Sequence, residues 1–454
     1  MDNEKIIRSV KNCFNWLEDY MLTFGRGAWG VYERIRTDIN MRVGYSRPDT
    51  ATEFLRAARL YKTKLRDSRY DDVYENLVKW LAFAQNKTET EGNEAFPFYL
   101  ADGCKDWKVM QMLFQNDNGK IMLNLALLYM ETKDERLLAM AEKCAAFWLS
   151  VQRENGTFYD ACLNIGEPDS AGACFVLWPM AAMFALFKAT GKESYRRSGE
   201  KAFAYMQTQQ KDGRIFTSYE RTKTEAWRPV SSEQYIALLC YAISFNLLGD
   251  KRFLTEARKL LLYSETLIDA ETGAIKNCVE RDQALSLNDD PALCDLVYTQ
   301  GFALNAFVEL YRAAKEEKFL VRAQKLAGFL ADIQCKDDLP CVNGGWRGSY
   351  NLKTGRYDGR CNQRARRGRR ILGIRRLVRP AHRVRHAETA VKFTRRKAKA
   401  FARLFPFPKR RMSDPKTLRP RFSKTAGAFA VFSFYNIFRN SEAKYTSCSA
   451  MPML

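Results

Sequence analysis

The chain has 454 residues, 46% of them hydrophobic, which is enough to bury a large core and excludes a disordered protein. Its net charge of +22 would suit a polyanion binder, but residues 361–454 hold 25 Lys+Arg against three Asp+Glu, while residues 1–360 hold 49 of each. Both histidines, His382 and His386, lie in that basic tail, so a histidine base or a histidine metal site is excluded from the body.

From the N-terminus, MDNEKIIRSVKNCFNWLEDY lacks the basic-then-apolar layout of a secretory signal, so a cytoplasmic location is the default expectation. Ile6, Ile7, Val10, Phe14 and Leu17 recur at helical spacing and predict an amphipathic helix. An aromatic, charged loop follows. Within it Gly25-Arg26-Gly27-Ala28-Trp29-Gly30 matches G-x-G-x-x-G, but a helix precedes it and no βαβ unit surrounds it. A dinucleotide site is therefore set aside, and no cofactor or metal is expected. Pro48-Asp49 then starts a helix over 50–65.

Beyond this point the sequence repeats. Amphipathic helices introduced by charged turns recur with Tyr70, Leu137, Tyr195, Phe253 and Phe319 as equivalent positions, a period of about sixty residues. Between them come nearly all-apolar segments at 118–131, 170–189, 233–248 and 295–314. An amphipathic series alternating with an apolar one predicts an outer and an inner ring of helices. The eighteen uncharged residues Ser170–Phe187 are at the lower limit for a membrane span and carry Pro179, which would interrupt it, so a helix buried on all sides is the expectation. The twelve cysteines form no C-x-x-C pair and read as reduced, mostly buried thiols.

Six outer helices begin near residues 5, 70, 134, 193, 251 and 317, but only five inner ones, near 49, 117, 169, 233 and 295. A twelfth helix is due after Gly344-Gly345-Trp346-Arg347-Gly348-Ser349-Tyr350. Instead the composition breaks near residues 361–366 into an arginine-rich stretch with no tryptophan. The division is thus 1–360 and 361–454. The tail reads either as a basic appendage for nucleic acid or another polyanion, or as an out-of-frame translation replacing the twelfth helix.

The alternating helix pairs resemble the (α/α)6 toroid of the six-hairpin glycosidase-like superfamily, over residues 1–350. Asp117-Asn118-Gly119 resembles the mouth aspartate, small residue and glycine of unsaturated glucuronyl or rhamnogalacturonyl hydrolases. The resemblance implies an all-α fold and a hydrolase of oligosaccharides, some of them uronate-containing. N-acylglucosamine 2-epimerase-like barrels depend on histidines and lanthionine-cyclase-like barrels on a Cys/His zinc site, which the histidine-free body does not supply. An Asp-rich terpene-cyclase motif is also missing.

Asp49, Asp117, Asp169, Glu233 and Asp295 each fall in the cap or first turn of an expected inner helix, so five acids could open on one mouth. Such acids also cap helices and complement the dipole. Asp117 and Asp169 are the expected acid/base pair: the first lies among Gln115, Asn116 and Asn118, and the second precedes the most apolar helix. Asp49, Asn118, Glu233 and Asp295 are expected beside the substrate. So are the loop aromatics Trp29, Tyr32, Trp227 and Trp346, with Arg47, Arg228 and Arg347 as holders of a uronate carboxylate. Tyr45, Phe96, Phe98 and Tyr99 lie in the same loops. The alternatives are a non-catalytic sugar-binding or scaffold toroid, and nucleic-acid binding through the tail.

Overall fold

The structure is a computed structural model that describes residues 2–23, 25–36, 41–42, 44–85, 94–101, 113–158, 176–215, 231–279, 290–336, 340–357 and 425–427. Contacts divide the chain into one unit of residues 1–362 with 423–454 and another of residues 363–422, which lies wholly outside the described residues. Thr425–Gly427 is a strand paired antiparallel with Arg34–Arg36. The expectations for the basic tail and for a shifted frame otherwise fall on residues outside the described set.

The described residues form eleven α-helices. The odd series is α1 (Asn3–Trp16, continued by a π-turn Leu17–Met21), α3 (Asp71–Gln85), α5 (Glu135–Ser150), α7 (Glu193–Thr208), α9 (Lys251–Ser264) and α11 (Glu317–Asp332). The even series is α2 (Pro48–Leu65), α4 (Gln115–Thr132), α6 (Leu177–Thr190), α8 (Ser231–Leu248) and α10 (Thr299–Ala314). Even helices pack on even ones in chain order and are the inner ring: every residue from Leu177 to Leu186 of α6 is buried, with no polar face. The odd helices bury one stripe. Its repeat markers Tyr70, Leu137, Tyr195, Phe253 and Phe319 are all buried, and the last four stand third in their helices, so burial at that point is what the sixty-residue period encodes.

The two ends of the ring differ. Each inner helix ends at a left-handed residue, Arg66, Lys133, Gly191, Gly249 or Lys315, and from α4 onward the next outer helix starts two residues later. At these four the capping N–H bonds to the carbonyl of an aromatic residue four positions back, Tyr129, Phe187, Phe245 or Tyr311. The connections from each outer helix to the next inner one therefore lie, in their described residues, at the other end, where the inner helices begin. That end is the mouth, and loops on a rigid scaffold are where binding chemistry is placed.

Ring closure rests on one device used repeatedly. After α5 the amide of Gln152 donates to the Ser198 carbonyl of α7, and after α7 Gln210 donates to the Glu256 carbonyl of α9. After α11 Gln334 donates to the Ser9 carbonyl of α1, at 2.8 Å. Close turn glycines accompany these contacts. A Cβ on Gly156 would stand 2.1 Å from the Lys201 carbonyl of α7, and one on Gly344 (φ +92°) 2.5 Å from the Asn12 carbonyl of α1. The end of α11 thus meets α1 as α5 meets α7, and the outer ring closes. The place due to a twelfth helix follows Tyr357, outside the described residues.

The differences from expectation are local. The third inner helix starts at Leu177 rather than near 169, so Pro179 stands in its first turn, where proline is tolerated, and does not interrupt it. The fifth starts at Thr299, leaving Asp295 four residues ahead of it on a strand, Leu293–Asp295. Among the described residues no helix is long and apolar enough to cross a membrane. The seven described cysteines are free thiols, six of them buried.

Candidate active site

The mouth is organised by the start of α2. Proline at its first position forces the preceding residue out of the helical region, and Arg47 is accordingly extended (φ −117°, ψ 132°). Its N–H donates to the Val31 carbonyl at 3.2 Å and its carbonyl accepts from Ala51 at 3.1 Å. The side chain is buried and its guanidinium meets three carboxylates. Nη1 lies 2.8 Å from Glu33, Nη2 lies 2.8 Å from Asp117 and donates to Asp49 at 3.2 Å, and Nε lies 3.0 Å from Asp49. The ring of Phe98 lies against its face at 4.3 Å.

A second cation completes the cluster. Lys120, one turn into α4 and 5% exposed, lies 2.9 Å from both Asp49 and Glu53. Those two acids are four residues apart and so share one face of α2. At the rim Arg34 lies 3.2 Å from Glu33, and Tyr45 donates to Glu33 while stacking on Tyr99 at 4.7 Å. Burying so many charges is tolerable only because they are mutually paired.

The acids are not equivalent. Burial pushes Asp49 up, but Arg47 and Lys120 outweigh it and hold its carboxyl down at about 2. For Asp117 burial is the largest influence and the neighbouring Asp49 adds to it, and against the pull of Arg47 its pKa rises to about 6. Glu53 is also raised, by burial. Asp49 is 1% exposed, whereas the side chain of Asp117 keeps 14%. One carboxyl is thus held ionised inside the protein, and the one at the mouth retains its proton toward neutral pH.

The three consecutive residues Asp117-Asn118-Gly119 have separate tasks. Asn118, expected beside the substrate, is buried: its carbonyl oxygen accepts from Phe96 N (2.7 Å) and its amide nitrogen donates to the Phe96 and Phe114 carbonyls, clamping the aromatic loop. Gln234 clamps Ile215 and Gln300 clamps Ile275 in the same two-bond way. Gly119 lets α4 approach α6, since a Cβ there would stand 2.3 Å from Pro179 N. Only Asp117 is left for the mouth.

Several other expected site residues go elsewhere. Trp346 is 1% exposed and donates to the Leu330 carbonyl, so it is a core residue that found a partner for its indole N–H. Trp29 is exposed but packs against Phe83 of outer helix α3, at 5.3 Å. Tyr32 sits under Arg42, and Arg347 lies over the Tyr357 ring. Arg47 is committed to the protein's own carboxylates rather than to a uronate. Glu233 is buried in the first turn of α8. Asp295 accepts from Val297 N (3.0 Å), Tyr298 N (3.2 Å) and Thr299 N (3.3 Å), so it is a helix cap. Asp169, Trp227 and Arg228 lie outside the described residues.

Glu33, Lys120 and Tyr298 were missed by sequence reasoning. Glu33 belongs to the charged stretch Tyr32–Asp38, which would ordinarily be a solvated loop, yet it is 8% exposed. Lys120 had a readable signal, a lysine opening the apolar run IMLNLALLYM of an inner helix, where only a buried counter-charge makes it tenable. Tyr298 is 41% exposed and stacks on Phe302, which packs on Trp178. Burial nevertheless pushes its phenol up, with the charges of Arg47 and Glu33 acting on it next.

The chain matches no protein-family model and no curated protein. Among solved structures it is similar to a sugar epimerase from a ruminal bacterium, with TM-score 0.60 and 15% identity over 79% of this chain and 92% of that one. An unsaturated glucuronyl hydrolase specific for heparin gives TM-score 0.60 and 11% identity over 99% and 100%. A family 76 glycoside hydrolase, an α-mannanase of Bacteroides thetaiotaomicron, gives TM-score 0.57 and 13% identity over 81% and 97%. With the alternating rings and the closed outer series, these likenesses show that the chain folds as an (α/α)6 toroid, the fold of the six-hairpin glycosidase-like superfamily.

Proposed function

We propose that this toroid is a carbohydrate-active enzyme that hydrolyses an oligosaccharide, with Asp117 as the carboxyl that protonates the leaving oxygen. One observation carries the reading: Asp117 is the member of a buried ion cluster that reaches the mouth, and its pKa of about 6 keeps it protonated in slightly acidic water. The similar structures support the substrate class, being a sugar epimerase and two carbohydrate hydrolases. A body without histidine favours hydrolysis over epimerisation.

In the reaction the glycosidic C–O bond breaks as the leaving oxygen takes the proton of Asp117, and water adds to the sugar carbon while a second carboxylate accepts its proton. Asp49 cannot fill that second place, because it is ionised but sealed between Arg47 and Lys120. Asp169 is the proposed partner, on its place in the sequence before α6. Tyr298, backed by Phe302 and Trp178, is the proposed wall against which a sugar ring stacks.

The test is a panel of neutral and uronate-containing oligosaccharides, followed by release of reducing ends and by binding. Turnover that weakens as pH rises through about 6 is expected for the native chain. Binding without turnover of any member, or product epimerised rather than cleaved, overturns the reading.

A further inference from the structure

We propose that Arg47 is the positioning residue of this site: one guanidinium holds the carboxylates of Asp117, Asp49 and Glu33 at fixed places around it and so presents Asp117 to the mouth. The inference rests on the reading of Asp117 as the working carboxyl. The three acids arrive from three elements, the loop before Arg34–Arg36, the first turn of α2 and the first turn of α4. Only a planar fork with donors on several nitrogens can serve all three at 2.8 to 3.2 Å, because the single nitrogen of lysine is a point charge.

The fork is itself immobilised. Pro48 sets the backbone of Arg47, two backbone hydrogen bonds hold it, and Phe98 covers one guanidinium face. Phe98 is held in turn against Phe114, the residue that caps α4, at 4.7 Å. The other two acids have further cations, since Glu33 also pairs with Arg34 and Asp49 with Lys120. Among the described residues the ion pair of Asp117 is the one with Arg47. Its position therefore depends on Arg47 more than theirs does.

Among the described residues the charged groups acting on Asp117 besides Arg47 are Glu33 from the loop side, Asp49 from α2 and Lys120 from its own helix; Arg34 and Tyr45 stand on Glu33, Glu53 on Lys120, and Tyr298 is acted on by Arg47, Glu33 and Lys120. Removing Arg47 leaves Asp117 among Asp49, Lys120 and Glu33. The titration of Asp117 should then move up by about one to three units, the size of effect that a lost Arg neighbour has on an aspartate.

The experiment follows Asp117 in the full chain by carboxyl-carbon NMR, assigned with Asp117→Asn, in the native protein and in Arg47→Gln, Arg47→Lys and Arg59→Gln. Arg59 pairs with Glu131 on the far part of α2 and α4 and is the control. The expected result is an upward move in Arg47→Gln, none in Arg59→Gln, and in Arg47→Lys a lowered kcat with KM retained, because charge without a fork does not orient the carboxyl. A native titration midpoint in folded Arg47→Gln overturns the proposal. Where Arg47→Gln does not fold, native kcat in Arg47→Lys overturns it. Full turnover by Asp117→Asn would instead remove Asp117 from the chemistry, while the NMR titration would still report whether Arg47 grips it.

Discussion

The approaches to α4 and α10 each carry an acid, Asp117 in the first turn of its helix and Asp295 four residues ahead of its own, and they use them differently. Asp295 turns its carboxylate onto three N–H groups at the start of its own helix and onto the Thr299 hydroxyl, the arrangement of a cap. Asp117 receives its hydrogen bond from Arg47, seventy positions earlier on another element, and its remaining surface faces the mouth. An acid whose carboxylate is taken up by the N–H groups of its own segment has little left to give a ligand. An acid held from outside, in a place that burial makes unfavourable for charge, keeps a proton that it can donate. What separates the two residues is the source of their donors and their place, since Asp117 stands inside its helix and Asp295 ahead of its own.

The most forceful way to break that contrast is to neutralise each acid in turn. Asp117→Asn should lower turnover by about 10² to 10⁴, the usual worth of a general acid, whereas Asp295→Asn should leave kcat within about threefold of native, as a cap alters stability by roughly 1 kcal/mol and not the chemistry. Steady-state rates on the best glycan of the panel decide it. Equal losses in the two variants would mean that both helix starts serve the reaction.

The parts of the molecule legible in the sequence are those encoded locally. Burial at Leu137, Tyr195, Phe253 and Phe319 recurs at the third place of an outer helix, so a period appears in the residue order. Asp117 stood out because polar neighbours surround it at the head of an apolar run. One of those neighbours, Asn118, clamps the Phe96 loop, and no chain-local pattern distinguishes a clamp from a ligand. The pairing of Arg47 with Asp117, Asp49 and Glu33 spans distant segments, so Arg47 looked available for a uronate when its partners belong to the protein. Trp346 read as a loop aromatic because a buried tryptophan and a sugar platform have the same sequence. The five expected inner helices are present among the described residues, but a first-turn acid could not be told from a cap without knowing where the helix begins, and Asp295 precedes its helix by four residues.

A smaller effect sharpens the contrast through pH. The folded chain holds the Asp117 proton to about pH 6 while an unfolded aspartate releases it near the ordinary value of 3.8, so between these values stability falls as pH rises, and it stays lower above pH 6. Asp117→Asn removes that penalty and should be more stable than native at pH 7, by something on the order of 3 kcal/mol, with the gain gone by about pH 4. Asp49 has the opposite sign. Its folded carboxyl sits at about 2, so its contribution is present above 3.8 and is lost as pH falls toward 2, and Asp49→Asn should destabilise most at neutral pH. Urea melts of both variants across this range test the pair. An Asp117→Asn protein that is less stable than native at pH 7 would place Asp117 with the structural acids.

The smallest expected effect belongs to the cap itself. Asp295→Ala leaves the N–H groups of Val297, Tyr298 and Thr299 to water, and a lost cap of this kind costs about 1 kcal/mol in urea melts. Tyr298 gives this prediction a functional edge, because one of the three released N–H groups is its own and its ring is the proposed sugar wall. Loosening that backbone should weaken sugar binding and raise KM a few-fold, in proportion to the ~0.5–1.5 kcal/mol that an aromatic contact is worth, while kcat stays with Asp117. Tyr298→Ala should show the same KM change without the loss of stability. A kcat effect in Asp295→Ala with native KM would instead bring the start of α10 into the chemistry and close the gap between the two acids.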